Sequence, residues 1–261
     1  MRTTDMVDEL FRGPETELPA GVRLATAKRG GVTVTRVEIT REGLARPRGR
    51  YVTLEMPSVS VLDERDTDVI VTGAAELRAL LPPEGPVLVL GIGNRRVTAD
   101  ALGPRTAQKI LVTMGPQHTL PVRGIRPVAA LAPGVSGDTG LTLRQLAAAM
   151  VDAVRPASLI CVDSLCSAEA ARLGRTIQFS DTGLHPADAR HARHLDAAAL
   201  GVPVIAAGIP TLMDADEGAD LVLTPRALDS VIAHGSALLA GILNRALQPR
   251  LSVAQLCWLT G

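Results

Sequence analysis

Apolar and polar residues alternate over positions 32–40 (VTVTRVEIT) and 50–56 (RYVTLEM), the period of a half-buried β-strand. The basic, turn-rich stretch EGLARPRG separates them. A helical pattern then ends near Leu81 at the breaker Pro82-Pro83, and the apolar run 87–91 reads as a buried strand. A helix follows Pro104, and Arg126 to Leu131 reads as a short strand. Leu143, Leu146, Met150 and Val154 are spaced along one helix face, which Pro156 ends. Residues 158–162, 175–180 and 202–208 are three further strands, and Leu228, Val231, Ile232, Leu238, Leu239, Ile242 and Leu243 mark a long C-terminal helix. Such alternation predicts an α/β fold: a single three-layer domain whose sheet is mixed and mostly parallel, with helices on both faces. No internal repeat or low-complexity linker divides the chain.

Composition narrows this picture in three ways. The chain has 261 residues, 46% of them hydrophobic, but few aromatics (Trp258, Tyr51, Phe11, Phe179), so its core must be aliphatic. Lys+Arg and Asp+Glu balance at 27 each, which argues against nucleic acid or an anionic membrane as a partner. No apolar run approaches the roughly 20 residues of a transmembrane helix, and MRTTDMVDELFR lacks an apolar signal core. A cytoplasmic protein is the expectation. Cys161, Cys166 and Cys257 form no C-x-x-C pair, so no disulfide framework is expected, and Cys161 sits in the run LICV as a core residue.

The candidate chemistry begins at VLVLGIGNRRVTADALGP, residues 87–104. Gly91, Gly93 and Asn94 suggest a nucleotide-binding turn, but Arg96 stands where a dinucleotide fingerprint needs glycine, and no Gly-Lys-Ser/Thr follows. The turn offers a carboxylate instead, Asp100. Asp163 after SLICV and Asp181 after TIQFS also follow apolar runs. Taken singly, Asp100 reads as a cap for the helix near Leu102, Asp163 as a cap for the segment from Leu165, and Asp181 as part of an Asx-turn. Three at one sheet edge would instead form a site, because ligands bind beyond the carboxyl ends of strands in open α/β sheets. Gly134 and Gly137 in the loop APGVSGDTG would let an extended peptide pass close to the backbone.

Two carboxylates in one cleft can share a proton; the protonated one polarises a carbonyl or protonates a leaving group while the ionised one activates water. That chemistry hydrolyses peptides with no cofactor. His185, Asp188, His191 and His194 are suitable metal ligands, but their spacing fits no standard zinc pattern, and a solvated loop is the simpler reading. No metal is therefore assigned. Ser164 and Ser180 lack a G-x-S-x-G elbow or an evident histidine partner.

The segments RYVTLEMP (50–57), VLGIGNRRVTADALGP (89–104), APGVSGDTG (132–140), VDSL (162–165), TIQFSDTGLHP (176–186) and LGVPVIAAGIPT (200–211) together resemble the germination protease of spore-forming bacteria, collinearly to the closing LNRALQPRLSVAQL. The resemblance implies a fold shared with hydrogenase-maturation proteases. It implies an endopeptidase that degrades small acid-soluble spore proteins in the spore core, made as a homotetrameric, self-processing zymogen. By motif it places the essential aspartates at Asp100 and Asp163, with Asp181 in a supporting role. RTTDMVDE (2–9) resembles the family's self-processing segment, which would put cleavage between Asp5 and Met6 and leave residues 6–261 as the peptidase domain. The alternative for so short a segment is a ragged terminus. The chain departs from the family at ADARHARHLDAAA (187–199), at Leu141-Thr142-Leu143 and in a short region after Thr211. Two other classes compatible with these motifs are a metal-assisted peptidase and a catalytically silent binding homologue.

Overall fold

The computed structural model describes residues 4–12, 17–62, 66–115, 124–185, 194–214 and 222–260. Strand β1 (Val22–Arg29) and β2 (Val32–Ile39) pair antiparallel with Arg29 opposite Val32, leaving only Gly30-Gly31 to turn the chain. Both glycines have positive φ (53° and 75°), as the primed hairpin turns need. Alternation does not mark β1, because its outward positions dominate: most of its residues are exposed or half-buried at the sheet edge.

Strand β3 (Gly49–Glu55) follows, then helix α1 (Thr67–Leu80), capped by Asp66, whose side chain accepts the Val69 N–H. Strand β4 (Val87–Gly91) leads to helix α2 (Leu102–Ala107), strand β5 (Val128–Leu131), and helices α3 (Ser136–Thr139) and α4 (Leu143–Val154). A capping box between Thr142 and Gln145 starts α4. Strands β6 (Ser158–Cys166) and β7 (Thr176–Ser180), helix α5 (Ala197–Leu200), strands β8 (Val204–Asp214) and β9 (Val222–Leu223), and helices α6 (Leu228–Leu247) and α7 (Val253–Thr260) complete the chain.

The sheet runs β1-β2-β3-β7-β8-β6-β4-β5, with β9 paired to β8. It is mixed, as expected, but its parallel pairing is confined to one half: β5–β4, β4–β6 and β6–β8 are parallel, while β1–β2, β2–β3, β3–β7, β7–β8 and β8–β9 are antiparallel. "Mostly parallel" thus holds for the half that carries α2 and α4. In the other half, the two-residue turn between β1 and β2 allows only an antiparallel pair.

Helices cover both faces. Val87 and Val89 of β4, with Ile160 and Val162 of β6, pack against α1, α2 and α6. Leu88 and Leu90, with Leu159 and Cys161, pack against α4 and α5. The period of two along each strand makes this division. Helix α6 is long and apolar enough, by length and composition, to cross a bilayer, contrary to the reading that no segment comes close. Its burial is 67%, and Val231, Ile232, Leu238, Leu239, Ile242 and Leu243 fill the larger core, so its hydrophobicity answers to packing.

Two strands extend further than their apolar runs. Strand β6 continues through Asp163 to Cys166 and β8 through Pro210 to Asp214, paired Asp163 to Gly208 and Leu165 to Pro210. Asp and Pro disfavour strands locally, so sequence periodicity stops at them; neighbouring strands override that preference.

Candidate active site

The parallel half has a topological switch point. From β4 the chain proceeds to β5 on one side, and from β6 it proceeds towards β7 and β8 on the other. Open α/β sheets bind ligands in the crevice outside the carboxyl ends of strands at such a point, here β4 and β6.

Glycines build its floor. A Cβ on Gly91 would lie 2.1 Å from the Gly103 carbonyl oxygen, and one on Gly103 would lie 2.3 Å from the carbonyl oxygens of both Ile92 and Val162. These absences of side chain let α2 begin against the two strand ends. Gly93 adopts φ +124°, and a Cβ there would meet the Asp100 carbonyl oxygen at 2.0 Å. The glycines that suggested a phosphate loop thus serve backbone packing in the present fold.

Asp100 ends the 3-10 turn Thr98–Asp100, which packs against β6, β8 and α6. Its Oδ2 accepts the Asn94 N–H at 2.7 Å, Asn94 Oδ1 accepts the Arg96 N–H at 2.9 Å, and Thr211 Oγ1 donates to the Ala99 carbonyl at 3.0 Å. The helix-cap reading of Asp100 is corrected: the N-cap of α2 is Ala101, which has no side-chain cap bond. Asp163 sits within a strand, not at a helix start. It lies within β6, 4% exposed, and its Oδ1 accepts the Ser164 N–H at 2.8 Å.

The two residues stand on adjacent strands. Gly91 pairs with Val162, the Ile92 N–H donates to the Val162 carbonyl at 2.8 Å, and Gly93 touches Asp100. Asp100 and Asp163 therefore flank the Ile92-Gly93 backbone at the mouth of the crevice. The loop after β5 closes one side: Arg96 Nη1 lies 3.1 Å from Asp138 Oδ1. In that loop Gly134 has φ +80°, and a Cβ on Gly137 would meet nothing within 4 Å.

Asp181 is not at this edge. Strand β7 runs antiparallel to β8 with Ser180 opposite Ala206, whereas Asp163 lies opposite Gly208. Asp181 is thus about three residues, roughly 10 Å, towards the opposite edge and two strands away. There its carboxylate accepts the Arg50 backbone N–H and Nε, each at 2.7 Å, and it fixes the junction of β3 with β7.

From Thr4 onwards the described N-terminal residues are docked on the sheet. The Asp5 N–H donates to the Cys166 carbonyl and the Cys166 N–H to Asp5 Oδ2, both at 2.8 Å. Gln178 brackets Met6: its Nε2 donates to the Asp5 carbonyl at 2.8 Å, and its Oε1 accepts the Val7 N–H at 2.7 Å. Arg46 donates to the Thr4 carbonyl, and Met6 is fully buried. Next to it a buried ionic cluster joins Asp8 to Arg172 (2.9 Å) and Glu9 to Ser167 and Ala168. Gln178 pairs with Gly208, which pairs with Asp163. All three lie on one sheet face by alternation, so the dock is level with Asp163, with only a glycine between. Sequence reasoning missed Gln178, Arg46 and Arg172. The signal was weak: a lone polar residue inside TIQFS.

Other nucleophiles find no support among the described residues. Burial, reinforced by the Asp163 charge, pushes the Cys161 thiol far up, and burial pushes Cys166 up to about 12. Ser180 Oγ pairs with Thr182 Oγ1, and Ser164 Oγ is buried without a partner. Of the four suggested metal ligands, His185 and His194 face each other; Asp188 and His191 lie outside the described residues. No group of three or more metal-ligating side chains occurs among the described residues.

Comparison with known proteins adds lineage. A family model described as germination protease matches residues 4–217. A germination protease of Clostridium perfringens (strain SM101 / Type A) is 31% identical over 84% of this chain and 86% of its own length. One from Caldanaerobacter subterraneus subsp. tengcongensis is 39% identical over 79% of this chain and 67% of its own. Among solved structures, the NiFe hydrogenase maturation protease HycI of Thermococcus kodakarensis aligns with a TM-score of 0.43 and 16% identity, over 66% of this chain and 98% of that one.

Proposed function

The chain belongs to the germination protease family, and from that premise we propose that it is an endopeptidase hydrolysing small acid-soluble spore proteins through Asp100 and Asp163. The observation that carries the mechanism is a buried aspartate and a half-buried one on either side of the β4–β6 switch point. One carboxylate, ionised, takes a proton from water as the water attacks the scissile carbonyl. The other, protonated, supplies a proton to the carbonyl oxygen or the departing amine. The reaction needs no cofactor. The glycine-lined floor of the crevice and the loop 132–140 leave room for an extended substrate backbone.

Zymogen processing belongs to the same proposal. Cleavage between Asp5 and Met6 removes Met1 to Asp5 and frees the Cys166 and Gln178 groups that hold Asp5. Burying Met6 contributes about 1.5–3 kcal/mol to the docked position, which undocking the segment would cost. The working enzyme is a homotetramer in the spore core.

The test is intact-mass spectrometry of a small acid-soluble spore protein incubated with the chain, beside Asp100→Asn. Discrete fragments with the wild type alone support the proposal; fragments with both move the active site elsewhere. Absence of fragments from folded protein lacking its first five residues points to a binding homologue, and activity abolished by chelators and restored by one metal to a metal-assisted peptidase. N-terminal sequencing checks for a chain beginning at Met6.

A further inference from the structure

The sequence placed His185 and His194 nine positions apart with no recognisable ligand spacing. The fold makes them a directly opposed pair. Leu184 and Leu195 form an isolated antiparallel bridge, exchanging N–H···O bonds of 2.8 and 3.1 Å, and both leucines are buried in the smaller core. Gly183, at φ +90°, permits this approach, since a Cβ there would sit 2.2 Å from the Leu195 carbonyl oxygen. His185 and His194 are the next facing positions of that bridge, so an anchored neck holds the two rings together.

The rings meet through their Nδ1 atoms at 3.3 Å, with planes inclined by 61°. That separation admits a hydrogen bond only when one ring carries its proton on Nδ1. It equals the bite of two nitrogens on a tetrahedral zinc ion, about 3.3 Å for Zn–N bonds of 2.0–2.1 Å. The outer nitrogen of His185 is also arranged as in metal-bound imidazoles. Nε2 lies 2.8 Å from the Thr182 carbonyl and 3.9 Å from Asp196 Oδ2, which keeps the proton on Nε2 and the Nδ1 lone pair directed at His194. Arg46 approaches this corner, but its Nη1 is engaged by the His185 carbonyl at 2.7 Å, and its charge is paired with Asp5 at 3.8 Å.

We propose that Nδ1 of His185 and Nδ1 of His194 form a binding site for a borderline divalent metal, zinc above all, separate from the Asp100–Asp163 crevice. Imidazole nitrogens select zinc, copper or nickel over magnesium and calcium. Two protein ligands leave the remaining positions to water, so the site exchanges its ion more readily than a closed four-ligand one. Its effect is to clasp the strand β7 exit to the start of α5. The inference is independent of the peptidase reading.

Calorimetric titration of the full chain with zinc alone tests it. The expected result is one zinc bound per chain, weakened at least tenfold in His185→Ala and in His194→Ala but unchanged in His234→Ala. Wild type that binds no zinc, or either variant binding as tightly as wild type, overturns the proposal. Should the alanine variants fold poorly, long-range proton–nitrogen NMR of the wild-type imidazoles decides. Zinc should shift Nδ1 of both rings while Nε2 of His185 stays protonated; unmoved Nδ1 resonances overturn it.

Discussion

Asp163 and Asp181 look alike as sequence: each follows an apolar strand and begins a recognisable motif. In the fold they belong to opposite halves of the sheet. Asp163 is in parallel strand β6, beside the crevice and 4% exposed, with Asp100 on the neighbouring strand's loop. Asp181 leaves antiparallel strand β7 at the far edge and is held by two bonds to Arg50. Strand direction alone separates a carboxylate at the β4–β6 switch point from one that fastens β3 to β7.

That contrast is most sharply broken by exchanging charge for amide at both positions. Asp163→Asn should lower peptidase turnover by about 10²–10⁴-fold with the fold retained, the usual scale for losing an acid–base group. Asp181→Asn should leave turnover within about twofold, because its role is structural. Steady-state cleavage of a spore-protein substrate, with circular dichroism as the fold control, checks both. Equal losses would dissolve the distinction between the two edges.

Next in size is the anchoring of the N-terminal segment. Asp8→Ala leaves Arg172 buried beside a lost partner and should cost about 3–5 kcal/mol in urea unfolding. A loss below about 1 kcal/mol would mean that the ionic cluster does not hold the segment. By contrast, Asp181→Asn keeps the shape of its contacts and disturbs a pair in which Arg50 is 49% exposed. Its stability change should stay within about 1 kcal/mol in the same measurement, less at high salt.

The smallest effect expected is from thiol reagents. With Cys166 pushed up to about 12 and Cys161 higher still, both thiols are protonated throughout pH 6–9, and reactivity begins only as the pH rises towards those values. Iodoacetamide at pH 8 should leave activity intact. Rapid inactivation accompanied by modification at Cys161 or Cys166 would place a nucleophile where the geometry provides none.

Much of this molecule is local and could be read from the chain. Periodicity located β2–β8 and α6 because side-chain burial repeats every two residues in a strand and about 3.6 in a helix. The stretch 87–104 disclosed its turn and Asp100 because glycine and carboxylate are distinctive wherever they occur. What periodicity does not encode is direction. Whether a strand runs with or against its neighbours follows from pairing between distant segments, and that pairing carried Asp163 to one edge and Asp181 to the other. The same non-local contacts extended β6 through an aspartate, brought Gln178 to the Asp5–Met6 bond across Gly208, and set His185 against His194. The sequence by itself determined which groups were available for chemistry; only the tertiary structure decided which of them meet, because meeting depends on strand order and register.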